Sequence, residues 1–466
     1  MARWGELVKR MLLKQTAKVA TSSPRKHFRV SAPLRKVGTE HAYNPEFVSL
    51  GPNHFRKPEA ASQAHCEDLM MYSINERYKV NSAAKLCHEM NIRSKQWRLD
   101  DIVNEIELMR PQIESFYDWS NTDEEYRIDL GLMMAVDSFF ILQILFGHGR
   151  RAHHTQIKCD IVKLENQIPL CVLKQVFDKV KEAILHPDLY RHILYYQDSS
   201  RINRLMLQRA CKELSPFDIT PAEEQIDSAV EKEPHLLGCI HAIISRFLPI
   251  QQHVQAEKGK PNPLQKICNY LALHVVEKMC RILHLPTYNP GDFPIDGYTA
   301  EELGKAGIKF KAFSDPSSQY IWFDKYSHRL ILPRMIVTSP THTEAFFKNL
   351  LAFESRNAGH NDHVRHFIQL MDALIDTSRD IRKLRKSGVI RVGSALPDES
   401  LMKSWDKVHQ PFSSGHLEPP DELKQALDEF LTERYCIIKC RILISKYLTP
   451  SGIFKLFSNF IKKGMI

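Results

Sequence analysis

The sequence predicts a mainly α-helical protein: one large helical domain with a small antiparallel β-sheet insertion near residues 308–337. Three observations carry that prediction. Apolar residues recur at helical spacing over most of residues 60–196 and again from 343 to 447. A cluster of short alternating segments follows a helix-start signal at Thr299. With 43% hydrophobic and 26% charged residues over 466 positions, the chain has an ordinary globular composition and enough apolar side chains for a sizeable core.

From the N-terminus, residues 1–42 form a basic arm. Residues 1–36 hold ten Lys or Arg against one acid, Glu6, so the arm alone carries an excess equal to the net charge of +9. Trp4, Leu7, Val8, Met11 and Leu12 recur at helical spacing beside Lys9, Arg10, Lys14 and Lys18. That pattern fits an organelle transit peptide, a membrane-surface helix or a solvated extension. Because the rest of the chain is near neutral, no basic footprint for nucleic acid is expected on the body, residues 43–447.

Residues 128–147 are the most apolar stretch, interrupted by Asp129 and Asp137. Carboxylates are costly in lipid, so a buried helix whose Asp137 has a partner is predicted in place of a membrane span. The next helix must stop at a corner. Glu165, Asn166 and Gln167 stand between apolar runs directly before Ile168 and Pro169. A residue preceding proline is pushed out of the α region, while Pro169 can open the following helix. Ile161, Leu164 and Ile168 are spaced to face the core, which surrounds the three polar side chains with apolar groups and obliges them to find partners.

Residues 215–234 and 249–263 read as proline-bearing loops. Thr299 and Glu302 then form a capping signature, Gly307 suits a left-handed helix stop, and residues 308–310, 320–323 and 329–336 read as strands. Helices are predicted again at 343–354, 364–387 and 420–447. The tail, 448–466, contains no uncharged run near the roughly 18 to 20 residues that cross a bilayer. Ile453, Phe454, Phe457 and Phe460 instead share one face opposite Lys455, Lys462 and Lys463. Such a face suits an anionic membrane surface or a dock on the body.

Several stretches carry a family resemblance. Asp160, Leu164, Glu165, Asn166, Gln167, Ile168 and Pro169 reproduce a D-x-x-x-L-E-N-Q-I-P pattern. VSLGPNHFRKPEA (48–60), VDSFFILQILF (136–146), TAEELGKAGIKFK (299–311), TEAFFKNLLAFE (343–354) and FIQLMDALIDTSRDIRKLRKSGVI (367–390) follow in order. Together they resemble the plant family of domain of unknown function 247. The resemblance implies a plant protein of unknown role, and some relatives are similar to self-incompatibility determinants of grasses. It also implies a C-terminal membrane anchor, which the basic amphipathic tail replaces here.

Catalytic signatures are missing from the sequence. Gly304-Lys305 lacks the upstream glycine of a phosphate loop, and no nucleophile elbow, zinc helix or kinase signature occurs. Asp123, Glu124 and Glu125 suit a helix start, where acids favour the dipole. His360, His363 and His366 are the weak metal candidates, as two histidines on one helix face make too few ligands. The ten cysteines show no C-x-x-C pair and no disulfide spacing, which points to a reducing, cytosol-facing environment. No cofactor is expected. The sequence is read as a non-enzymatic interaction protein with an unknown protein partner, located in the cytoplasm or peripherally on a membrane. The contrasting reading is an enzyme of unknown reaction with a site at Glu165, Asn166 and Gln167.

Overall fold

Two helices, α4 (Leu130–Phe146) and α11 (Pro340–Glu354), organise the fold, and both are buried on nearly every side. The computed structural model describes residues 28–30, 34, 42–54, 66–93, 98–117, 130–147, 154–185, 199–250, 298–313, 320–356, 362–393, 396–409, 420–421 and 423–431. A helix that is apolar all round belongs in a core or a membrane. Here α4 is covered by α1 (Cys66–Arg93), α2 (Leu99–Leu108), α6 (Leu170–Ile184) and α7 (Ser199–Leu214). Its single acid, Asp137, meets Lys79 of α1 at 2.8 Å. No helix among the described residues is long and apolar enough to cross a membrane.

The remaining helices fill in around this pair. α3 (Arg110–Glu114) continues from α2 after a break at Met109, and α5 (His154–Ile161) leads into the corner. α8 (Glu223–Lys232) and α9 (Leu236–Ile244) pack on each other and on α7. Residues 215–222 are the loop that their prolines suggest, but 223–232 are helical. Pro221 and Pro234 bracket a helix whose start is tied by the Gln225 side chain accepting from the Ala222 N–H at 3.1 Å.

The β segment follows α10 (Ala300–Lys305), which begins with Thr299 accepting from the Glu302 N–H and ends before Gly307 at φ 96°. β1 (Lys309–Phe313), β2 (Trp322–Asp324) and β3 (Arg329–Pro333) form a sheet in the order β1-β3-β2. β2 and β3 are an antiparallel hairpin, but β1 runs parallel to β3 with Lys309 opposite Arg329. β4 (Met335–Val337) leaves this sheet and pairs in parallel with β5 (Ile390–Val392). The insertion is thus mixed, where antiparallel pairing was expected. Period-two alternation identifies strands without fixing their direction. The predicted strand 329–336 is split because Pro333 has no N–H to continue the ladder.

α11 packs on α5, α12 (His363–Leu374) and α14 (Asp398–His409), around a cluster of Phe217, Phe346, Phe347, Phe367 and Trp405. The predicted helix 364–387 is two helices, α12 and α13 (Ser378–Lys386). Asp380 accounts for the break. Its carboxylate accepts from the Thr377 N–H at 2.8 Å and from the Glu301 N–H at 2.7 Å, starting α13 and fastening it to α10. Of the predicted helix 420–447, residues 420–421 and 423–431 are described. Most of the arm, 1–27, and the tail, 448–466, lie outside the described residues. The exceptions at the arm's end are informative: Phe28 and Val30 are buried in the body.

Candidate functional site

α5 ends at Ile161, and its last carbonyl groups need partners that the helix cannot supply. The side chains of the corner fold back to provide them. Asn166 Nδ2 donates to the Asp160 carbonyl at 3.0 Å, and Gln167 Nε2 donates to the carbonyls of Ile161 at 2.6 Å and Lys163 at 2.9 Å. The chain then passes through Pro169, which sits at the N-cap of α6, one residue ahead of its first turn. Residues 162–168 form an irregular turn in which Leu164 and Ile168 are nonetheless buried.

The opposite side of the corner holds residues 42–51, which turn and bend over 42–47 and run on without regular structure through 48–50. Asp160 is 1% exposed and accepts from three successive N–H groups, those of Glu46 at 3.0 Å, Phe47 at 2.6 Å and Val48 at 2.8 Å. Asn166, fully buried, accepts from the Leu50 N–H at 2.6 Å and donates to the Val48 carbonyl at 2.9 Å. Its planar amide thereby takes the place of a neighbouring strand. Lys163 donates to the Asn44 carbonyl at 2.6 Å while paired with Asp160 at 2.9 Å. Asp137 accepts from the Gly51 N–H at 2.7 Å, and its partner Lys79 donates to the Ser49 carbonyl at 3.0 Å.

More distant parts of the sequence close the knot. Asn349 of α11 accepts from the Leu164 N–H at 2.9 Å and donates to the Ala42 carbonyl at 2.8 Å. Gln167 Oε1 accepts from the Leu237 N–H at 3.2 Å in the first turn of α9, and the buried Tyr117 hydroxyl donates to the Gln167 carbonyl at 3.0 Å. Burial, and then Asp137 nearby, hold the Tyr117 hydroxyl well above its ordinary pKa, so it remains a donor. Glu165 is 4% exposed, accepts from the Val30 N–H at 2.6 Å and lies 3.7 Å from His54 Nε2.

Chemically, this arrangement holds backbone. General acid or base work needs a carboxyl within reach of a substrate proton, in a volume that a substrate can enter. Here Asp160 accepts from main-chain N–H groups and pairs with the buried Lys163 ammonium, and Glu165 accepts from the Val30 N–H. A histidine does stand beside Glu165: the carboxylate is buried, while the His54 side chain is 18% exposed.

The other candidates lie apart from the corner. His363 and His366 occupy the first turn of α12, and His360 and Asp123–Glu125 fall outside the described residues. Among the described residues no group of three or more His, Cys, Asp or Glu side chains is arranged to hold a metal. Burial raises the Cys159 thiol to about 11 and Cys211 to about 12, which opposes thiolate chemistry at either. The tail face of Ile453, Phe454, Phe457, Phe460, Lys455, Lys462 and Lys463 is outside the described residues.

Lys79, Asn349 and Tyr117 belong to the knot and were not evident in the sequence, because each joins it from a separate part of the chain. The same holds for a second buried cluster. Glu354 accepts from the Val364 N–H at 3.1 Å and the Arg365 N–H at 3.0 Å at the start of α12, with His241 Nε2 at 3.4 Å. Burial pushes the Glu354 carboxyl up, but His241 and the two amides outweigh it and leave the pKa below its ordinary value. On the outside, a half-open cleft of about 920 Å³ lies between α1, α4 and α6, lined by Tyr78, Asn81, Lys85, His88, Gln143 and Phe146 among others.

The family model for plant proteins of unknown function matches residues 28–454, nearly the whole chain. The chain belongs to the family of domain of unknown function 247. Its matched span begins at Phe28, the first of the described residues, which is buried. A UPF0481 protein of Arabidopsis thaliana is 24% identical over 475 residues, covering 88% of this chain and 83% of the relative. No solved structure matches.

Proposed function

We propose that this member of the family is a non-enzymatic interaction protein that recognises a protein partner through its surface. One observation carries the reading: the family's signature residues, Asp160 and Glu165 to Gln167, are spent on main-chain groups of the protein itself. A signature devoted to architecture suits a scaffold whose function lies on its exterior. The cleft lined by Lys85, His88 and Gln143 is the concave surface where a partner is first sought. A recognition role of the self-incompatibility type is the form that relatives of this family suggest.

Crosslinking and mass spectrometry from native tissue test the proposal, with wild-type chain beside a Lys85→Glu, Gln143→Arg variant. A partner captured reproducibly by the wild type and lost in the variant supports it. Turnover of a small molecule that disappears in a folded Glu165→Gln variant would overturn it in favour of an enzyme.

We further propose that the tail of residues 448–466 rests on an anionic membrane surface. Its motivation is the apolar face of Ile453, Phe454, Phe457 and Phe460 opposed by Lys455, Lys462 and Lys463. Fractionating cells that express the full chain, or a chain ending at Thr449, decides the matter: membrane recovery of the full chain alone is expected, and equal solubility of both ends the idea.

A further inference from the structure

The irregular segment 42–51 is held through its main chain, as a peptide ligand is held. Its main chain is addressed on both edges by side chains of the body: Asp160, Asn166 and Asp137 accept from its N–H groups, and Lys163, Lys79, Asn166 and Asn349 donate to its carbonyls. Tyr43, Phe47, Val48 and Leu50 are buried between these clamps, at 1%, 8%, 2% and 1% exposure. Main-chain bonds supply affinity and buried anchors supply specificity in strand-addition modes of peptide recognition. In this protein the Asn166 amide replaces a receiving strand at Val48 and Leu50, and over the turning residues 42–47 side chains hold the main chain one group at a time. The residues that make the groove come from α1, α4, the α5 corner and α11, and these elements are joined without the segment: α1 packs on α4, α11 on α5, and α7 on both α4 and α5.

We propose that this groove is a peptide-binding site whose occupant, residues 42–51, is exchangeable, so that the same segment of a second copy binds there in trans. Every contact that holds the segment in cis is available to an identical segment from elsewhere, which makes exchange energetically neutral apart from the entropy of association. The inference stands independently of the partner proposal, because its readout involves this chain alone.

The test uses the full chain with a protease site inserted within residues 56–65 and cut after folding. The N-terminal fragment is expected to stay bound during gel filtration, to leave in mild denaturant, and to be replaced by a fluorescent peptide of residues 42–54. A peptide N-methylated at Leu50 lacks the donor to Asn166, leaves the body untouched, and is expected to bind at least about tenfold more weakly, as loss of one buried hydrogen bond implies. Two differently tagged full chains, mixed under the same mild conditions, are expected to be recovered together. Equal binding of the N-methylated and unmodified peptides would overturn the proposal. So would a nicked body that loses its fold when the fragment leaves, because an exchangeable occupant leaves a folded host.

Discussion

Replacing Asp160 by alanine isolates the contribution of the corner. Three N–H groups lose their acceptor, those of Phe47 and Val48 buried and that of Glu46 part-buried, and the Lys163 side chain, 3% exposed, loses its partner at 2.9 Å. A buried donor left unsatisfied costs about 1–3 kcal/mol, and removing one member of a buried ion pair costs about 3–5 kcal/mol. Both costs arise from a single carboxylate and overlap, so roughly 4–6 kcal/mol of destabilisation is expected, a large share of the usual stability of about 5–15 kcal/mol. Urea denaturation followed by circular dichroism measures the loss. Hydrogen exchange at the Phe47 and Val48 amides shows whether the segment detaches before the body unfolds. Glu213→Ala is the control: it breaks a 2.8 Å pair with Lys158 at the surface and is expected to cost less than about 1 kcal/mol. Adding Lys163→Met to Asp160→Ala should recover part of the loss by removing the stranded charge. An Asp160→Ala protein within about 1 kcal/mol of wild type, with unchanged exchange at both amides, would refute the account of the corner.

Two further perturbations follow from the same geometry. Gly51 has φ 65°, and an added Cβ would lie 2.9 Å from the Tyr117 hydroxyl and 3.2 Å from the Gln167 carbonyl, so Gly51→Ala is expected to cost about 1–3 kcal/mol and lower the melting temperature. An unchanged or higher melting temperature would contradict the packing of that turn. His342 is buried, its Nε2 has no hydrogen-bond partner among the described residues, and burial, with Lys158 and His154 adding to it, pushes its pKa down to about 4. Because the unfolded imidazole takes a proton near 6.5 and the folded one only near 4, this contribution to stability is complete above pH 6.5 and lost as the pH falls toward 4, by ~3 kcal/mol at most. His342→Phe should flatten the stability profile between those limits, and a profile as steep as that of wild type would exclude His342 as its source.

The sequence made the corner legible from one side only. Three polar residues ahead of Ile168-Pro169 announce a helix end that must be satisfied, and Asp137 in an apolar helix announces a buried partner. Neither signal names the partner. The groups that answer Asp160 and Asn166 are main-chain atoms more than a hundred residues upstream, in a segment whose identity as ligand has no periodic signature. Lys79 is similarly hidden, as one of two lysines in α1, and Asn349, next to Lys348 in α11, shows no partner until Leu164 and Ala42 are brought to it. Local chemistry misled where the same residue type has two uses. Pro221 and Pro234 delimit α8 instead of lying within one unbroken loop, and Asp380 begins a new helix where the apolar spacing ran on without a gap.

A core built only of apolar side chains would leave the placement of residues 42–51 poorly determined. In that segment Tyr43, Phe47, Val48 and Leu50 are all buried, so the burial pattern does not alternate and a shift by one residue would trade one set of apolar contacts for another of similar worth. Hydrogen bonds discriminate more sharply. Asp160 needs three consecutive N–H groups converging on one carboxylate, and Pro45, which has no N–H, immediately precedes them. Moving the segment one residue toward its C-terminus would bring that proline into the triad and leave a carboxylate lone pair empty. Gly51 sets the other limit, since its positive φ and its closeness to Tyr117 suit no other residue of the segment. A buried charge contributes little net stability compared with an apolar replacement, but it penalises every wrong register. The polar residues of the corner therefore act chiefly to make one placement of the N-terminal segment far better than its neighbours, and the penalty predicted for Asp160→Ala measures that discrimination.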